Sequence, residues 1–127
     1  MGHALIIDDN NKNIEVLARL LGMQQMSSTT VSRPAQLEVA IENMDGVDVV
    51  FLDLEMPGAS GYDILEWLKS DARFQAVPIV AYTVHVSEIS AAHRQGFHSF
   101  LGKPLDADKF PQQLERILNG QPVWETP

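Results

Sequence analysis

Val49-Val50-Phe51-Leu52-Asp53-Leu54-Glu55-Met56-Pro57-Gly58 is the stretch whose reading decides the fold. Its first four residues are apolar, β-branched or aromatic at three positions, and show no alternation. A run that short and that uniformly apolar reads as a strand buried on both faces. It stops at a carboxylate, after which Met-Pro-Gly brings a fixed φ and a permissive glycine, the chemistry of a tight loop. Open α/β sheets keep their ligand crevice beyond the carboxyl ends of the strands. Asp53 is therefore either a reactive group or the first residue of a turn, and the stretch alone does not separate the two.

Working outward, the same grammar repeats. Ala4–Ile7 is a short apolar strand ending in Asp8-Asp9-Asn10, followed by a helix with Ile14, Leu17, Ala18 and Leu21 on one face. Ser27–Val31 is a hydroxyl-rich, partly exposed strand. Pro34 opens a second helix carrying Leu37, Ala40, Ile41 and Met44. After the Asp53 loop, Ser60 and Asp63 have capping-box spacing ahead of a third helix with Ile64, Trp67 and Leu68 buried. Val77–Tyr82, with Pro78 at its second position, is a fourth strand ending at Thr83. Ser87 can cap a fourth helix with Ile89 and Ala92, and Phe97–Leu101 is a fifth strand running into Gly102-Lys103-Pro104. The last helix starts near Asp106 or Asp108, since Pro111 must lie in its first turn, and buries Phe110, Leu114, Ile117 and Leu118.

Five strands alternating with five helices predict right-handed βαβ units and a parallel sheet covered on both faces, an α/β doubly wound fold. We expect one domain over residues 1–120 and a C-terminal tail over 121–127, with no room for a second domain after Lys103. The 127 residues carry 45% hydrophobic and 20% charged side chains, the balance of an ordinary globular domain. There is no cysteine, which excludes disulfides and thiolate metal sites and is compatible with a reducing cytoplasm. A net charge of −8 argues against direct nucleic-acid binding or adhesion to anionic membranes. No apolar run approaches the ~20 residues a membrane span needs.

Asp8, Asp9, Asp53, Thr83 and Lys103 each lie at or just past the carboxyl end of an expected strand. In a parallel sheet those ends share one edge, so the five side chains converge on one crevice. Three close carboxylates repel unless a cation neutralises them, and an oxygen-only site suits Mg²⁺, which keeps waters and recruits phosphate oxygens. Lys103 adds a charge for an anion and Thr83 a hydroxyl donor. Such a site suits a phosphoryl group, with Asp53 as the nucleophile that becomes an aspartyl-phosphate.

The chain resembles the CheY-like family of response-regulator receiver domains along nearly its whole length. The resemblance rests on Asp8-Asp9 after strand one, Phe-Leu-Asp-Leu-Glu-Met-Pro-Gly around Asp53 with Gly61 following, Thr83 after strand four, Lys103-Pro104 after strand five, and the aromatic Phe100. It implies a flavodoxin-like sheet of order 2-1-3-4-5 and phosphorylation of Asp53 by a histidine kinase or histidine phosphotransfer protein. It implies Mg²⁺ held by Asp9, Asp53 and the backbone carbonyl of Glu55, with Asp8 helping directly or through water. Thr83 and Phe100 would then form the switch, altering the face of helix four, strand five and helix five that meets a downstream protein or a second, phosphorylated copy. Lys103-Pro104 is a cis peptide in many relatives. The implied function is a cytoplasmic single-domain switch or shuttle in a two-component phosphorelay, not an enzyme beyond self-catalysed phosphotransfer and dephosphorylation.

Three positions depart from the commonest pattern. Val84 replaces a smaller residue and should narrow access to Asp53, while Glu55 and His85 lie at the rim, where they could orient or block a hydrolytic water. We expect these residues to set the phosphate lifetime. The other histidines lack metal-ligand spacing, and Trp124 either folds back on the domain or docks a partner. Two rivals are a pseudo-receiver scaffold that never carries phosphate and a small Mg²⁺-dependent phosphohydrolase using Glu55 as general acid. A flavin carrier is disfavoured by the acidic loop after strand one.

Overall fold

The computed structural model describes residues 2–126, so Met1 and Pro127, the last residue of the expected tail, lie outside it. Six parallel strands form the main sheet: β1 (His3–Ile7), β2 (Ser27–Val31), β3 (Val49–Leu52), β4 (Ile79–Thr83), β5 (Ser99–Gly102) and β6 (Trp124–Glu125), in the order 2-1-3-4-5-6. Five helices connect them: α1 (Asn11–Met23), α2 (Leu37–Glu42), α3 (Gly61–Lys69), α4 (Ile89–Gln95) and α5 (Phe110–Leu118). The fold class expected from the alternation is the one observed, with one strand more. The segment after α5 does not trail free but pairs with β5.

The two-residue side-chain period of a strand divides the core. Leu5, Ile7, Val50, Leu52, Ile79, Ala81 and Phe100 point to one face of the sheet, against α2, α3 and α4. Ala4, Ile6, Val49, Phe51, Val80, Tyr82 and Leu101 point to the other, against α1 and α5. Every residue of β3 is buried, as its unbroken apolar run requires.

Several boundaries differ from the expectations, each for a local reason. Asn10 caps α1, its Oδ1 accepting the Asn13 N–H at 3.1 Å. Pro34–Gln36 and Val86–Glu88 are tight 3₁₀ turns ahead of α2 and α4, so Ser87 caps nothing. The Asp106 carboxylate takes the N–H groups of Asp108 and Lys109, building a turn that delays α5 to Phe110 and leaves Pro111 in its first turn. Pro78 precedes β4, and its carbonyl accepts the Val50 N–H at 3.0 Å.

Two residues expected in buried stripes are exposed: Trp67, at 40%, rims a groove between α2 and α3, and Leu118, at 42%, is the last residue of α5.

Candidate functional site

Strand register explains how the acidic site assembles. Ile7 of β1 pairs with Leu52 of β3, and the Asp53 N–H donates to the Ile7 carbonyl at 2.9 Å, so Asp8 and Asp53 emerge side by side. Thr83 pairs with Gly102, and the Lys103 N–H donates to the Thr83 carbonyl at 2.8 Å, which sets Lys103 one residue past the end of β5. Side-chain parity then sorts these groups. Counting in twos from Ile6, Phe51 and Leu101 carries Asp8, Asp53 and Lys103 to the α1/α5 side of the sheet. Thr83 follows the opposite parity, with Ala81 and Phe100.

The result is a compact polar knot with apolar walls. Asp8 is fully buried, Asp53 is 7% exposed and Lys103 9%. Lys103 Nζ lies 3.0 Å from Asp8 Oδ2 and 3.8 Å from Asp53 Oδ1. The Asn10 N–H donates to Asp8 Oδ1 at 2.9 Å, and the Glu55 N–H to Asp53 Oδ1 at 3.2 Å. Asp9 is exposed at the mouth. One carboxylate oxygen from each of Asp8, Asp9 and Asp53 falls within 4.8 Å of the others. Three hard oxygen donors with no nitrogen or sulfur among them fit Mg²⁺.

Electrostatics distinguish the two buried acids. Burial pushes the Asp53 carboxyl up to about 6, against the Lys103 ammonium and the Glu55 N–H, which pull it down. Burial also raises Asp8, but there hydrogen bonds from Tyr82 and the Asn10 N–H, together with the Lys103 charge, win and hold it below the ordinary carboxylate value. Without a cation, ionised Asp53 is the less comfortable of the pair.

Tyr82 is the site residue that the sequence reading passed over as ordinary strand. Its hydroxyl donates to Asp8 Oδ2 at 2.5 Å, and Lys103 Nζ rides over its ring, 4.2 Å from the centroid. Burial, reinforced by the bond to Asp8, pushes the phenol above its ordinary value, so it stays a donor. The available signal was parity. Tyr82 is the one polar side chain among Ile79–Tyr82, directs its ring to the face that carries Asp8 and Lys103, and a buried phenol needs an acceptor.

The remaining expected residues lie around this knot. Thr83 is 1% exposed, and its Oγ1 accepts the His85 N–H at 3.1 Å. His85 Nε2 meets Glu55 Oε2 at 2.8 Å across the mouth, both side chains being about half exposed. Val84 is 61% exposed and projects outward. Phe100 is fully buried beneath Trp124, and the Lys103–Pro104 peptide is cis. Beyond β3, Glu55–Met56 and Ala59–Ser60 form a two-rung antiparallel clip turning at Gly58, whose φ is +82°. Gly61 then passes so close that a Cβ there would lie 2.7 Å from Leu54 Cα and 2.9 Å from the Asp53 carbonyl oxygen.

Comparison with known proteins agrees with this geometry. The pattern of the response regulator receiver domain matches residues 4–115. Protein PilH of Pseudomonas aeruginosa is 28% identical over 125 residues, covering 94% of this chain and 100% of PilH. Stress response regulator protein 1 of Candida tropicalis is 33% identical over 105 residues, 80% of this chain but 40% of that protein. Among solved structures, the receiver domain of the sensor histidine kinase PA1611 of P. aeruginosa, described with a magnesium ion coordinated in its active site cleft, superposes with a TM-score of 0.81. That match has 22% identity and covers 93% of this chain and 98% of the other. Chemotaxis protein CheY4 of Vibrio cholerae gives 0.82 at 18% identity over 92% and 98%. Neither rival reading, scaffold or phosphohydrolase, is favoured by these relatives. Among the described residues no helix is long and apolar enough to cross a membrane. The chain belongs to the response regulator receiver domain family, and its work is phosphorelay signalling.

Proposed function

We propose that Asp53 is the phosphoryl acceptor, with Lys103 and Thr83 as the groups that stabilise and read the transferred phosphate. The observation that carries this is the pairing of a buried carboxylate held at an elevated pKa with a buried ammonium 3.8 Å away, beside two further acids. An Asp53 oxygen attacks phosphorus as the P–N bond of a phosphohistidine breaks. The electron pair of that bond stays on the departing nitrogen, and the imidazole ends neutral because its other ring nitrogen carries a proton before transfer. Lys103 offsets the charge carried by the phosphoryl oxygens, and the Thr83 hydroxyl, released from the His85 N–H, donates to one of them. Asp8, Asp9, Asp53 and the Glu55 carbonyl would hold Mg²⁺, which supplies charge neutralisation on the phosphoryl oxygens when bound.

Donors in this reading are a histidine kinase or histidine phosphotransfer protein, the partners from which receiver domains take phosphate. The cytoplasm is the setting we propose, in keeping with the cysteine-free composition. Phe100 is already fully buried, so the inward turn expected of it is not available as the switch; movement of Thr83 toward the phosphate would instead alter the surface of α4, β5 and α5 by shifting the packing around Phe100 on the face the two share. Glu55 and His85 bridge the mouth and limit water's approach to the acyl phosphate.

The test is incubation with acetyl phosphate and Mg²⁺, read by intact mass. We expect a gain of one phosphoryl group in the wild type and none in Asp53→Asn. An adduct of equal yield in both proteins would overturn the assignment.

A further inference from the structure

The Tyr82 hydroxyl has no part in the transfer chemistry set out above, yet it stands against two groups that do. Buried Asp8 accepts from three donors. Its Oδ1 takes the Asn10 N–H at 2.9 Å, while Oδ2 takes both the Tyr82 hydroxyl at 2.5 Å and the Lys103 ammonium at 3.0 Å. Lys103 Nζ is therefore nearer to Asp8 than to Asp53, whose Oδ1 is 3.8 Å away. In the resting site the ammonium belongs to Asp8, and to meet a phosphoryl group on Asp53 it must turn from that bond.

The departure leaves Asp8 Oδ2 in need of another donor. Asp8, Tyr82 and Lys103 are all buried, so bulk water does not replace the lost bond. A buried acceptor left without a partner bears its full desolvation penalty, which exceeds the net worth of one bond among several. Tyr82 is built to stay. Its backbone pairs with Leu101 inside the sheet, and Phe51 meets its ring edge-on at 77° with centroids 6.2 Å apart. Lys103, by contrast, carries its charge on a flexible four-carbon stem that lies over the same ring, Nζ 4.2 Å from the centroid.

We propose that Tyr82 is a positioning residue for phosphoryl transfer: its hydroxyl holds Asp8 Oδ2 so that Lys103 can leave that oxygen for the phosphoryl group on Asp53. This rests on the reading of Asp53 and Lys103 given above. The hydroxyl acts on the difference between two positions of Lys103. With phenylalanine at position 82, the ammonium becomes the sole donor to Asp8 Oδ2, and drawing it away strips that oxygen.

The test is calorimetric titration of the full chain with beryllofluoride as phosphoryl mimic, at Mg²⁺ concentrations that separate titrations with the metal alone show to be saturating for each protein. Tyr82→Phe should bind the mimic about tenfold more weakly than wild type, the factor for leaving one buried acceptor unpaired. In an Asp8→Asn background the neutral amide no longer holds the ammonium, so adding Tyr82→Phe should change mimic affinity by less than about twofold. A hydroxyl that served only the fold would lower stability and leave mimic affinity alone. Equal affinity in wild type and Tyr82→Phe, or the same loss in both backgrounds, would overturn the proposal. A crystal structure of the wild-type protein with Mg²⁺ and beryllofluoride tests it without any substitution. The expected result is Lys103 Nζ on the mimic with the Tyr82 hydroxyl still on Asp8; Lys103 remaining on Asp8, or Tyr82 turned away, would overturn it. Beryllofluoride that fails to bind wild type overturns the Asp53 reading and this proposal together, whereas binding that is indifferent to Tyr82→Phe overturns this proposal alone.

Discussion

Replacing Asp53 by Asn exchanges a buried charge for a neutral isostere and should stabilise the metal-free protein at neutral pH. Folded Asp53 titrates near 6 against an ordinary value of 3.8 because burial disfavours its ionised form. A carboxyl whose folded pKa is raised contributes full stability below the unfolded value and loses it as pH rises through the folded one. The loss therefore runs from about pH 4 to about pH 6. A shift of about two units corresponds to roughly 3 kcal/mol at pH 7, an upper figure because Lys103 also loses a partner at 3.8 Å. The assay is urea unfolding of both proteins at pH 4 and pH 7 with chelator present. The account predicts an Asn variant more stable by about 1–3 kcal/mol at pH 7, a gap that closes by pH 4. Added Mg²⁺ should raise the wild type and leave the variant nearly unmoved. A variant equal to or less stable than wild type at pH 7 would refute the reasoning.

Three further outcomes follow from the geometry. Tyr82→Phe keeps the ring under Lys103 but removes the donor to buried Asp8, and should cost about 1.5–3 kcal/mol in thermal or urea unfolding; a change under half a kcal/mol (about the scatter of surface substitutions) would contradict the bond's role. Gly61→Ala forces a Cβ against Leu54 Cα and the Asp53 carbonyl, so it should lose about 1–3 kcal/mol and slow acetyl-phosphate labelling of Asp53, both checked on one preparation. His85→Ala and Glu55→Asn open the bridge over the mouth and should speed loss of the phosphoryl group roughly two- to fivefold, the kinetic equivalent of one exposed side-chain contact. Intact mass followed over time measures that decay, and rates equal to wild type would dismiss the bridge as a barrier.

The sheet and most of the acidic edge were legible in the sequence because both depend on local pattern. Apolar runs such as Val49–Leu52 mark strands, and a parallel sheet places whatever follows each strand on one edge, so Asp8, Asp53 and Lys103 lie together there, while Thr83 ends its strand on the same edge with the opposite side-chain parity. Tyr82 was hidden because the acceptor for its hydroxyl lies 74 positions away in the chain, and only register and parity together bring the two into contact. The sixth strand was hidden for a different reason. Two paired residues have no periodicity, and Trp124 acquires its place from Phe100 and His93, which belong to other elements. Trp67 and Leu118 show the converse error. Helical spacing puts a residue on a face but does not say how far the neighbouring element extends to cover it.

The most direct test of the central claim is to locate the phosphoryl group. Wild-type protein labelled with acetyl phosphate and Mg²⁺ is reduced with borohydride, which converts an aspartyl-phosphate to homoserine, and the peptides are mapped by mass spectrometry. The account predicts homoserine at Asp53 and unmodified Asp8 and Asp9. Homoserine at Asp8 or Asp9, with Asp53 intact, would contradict it.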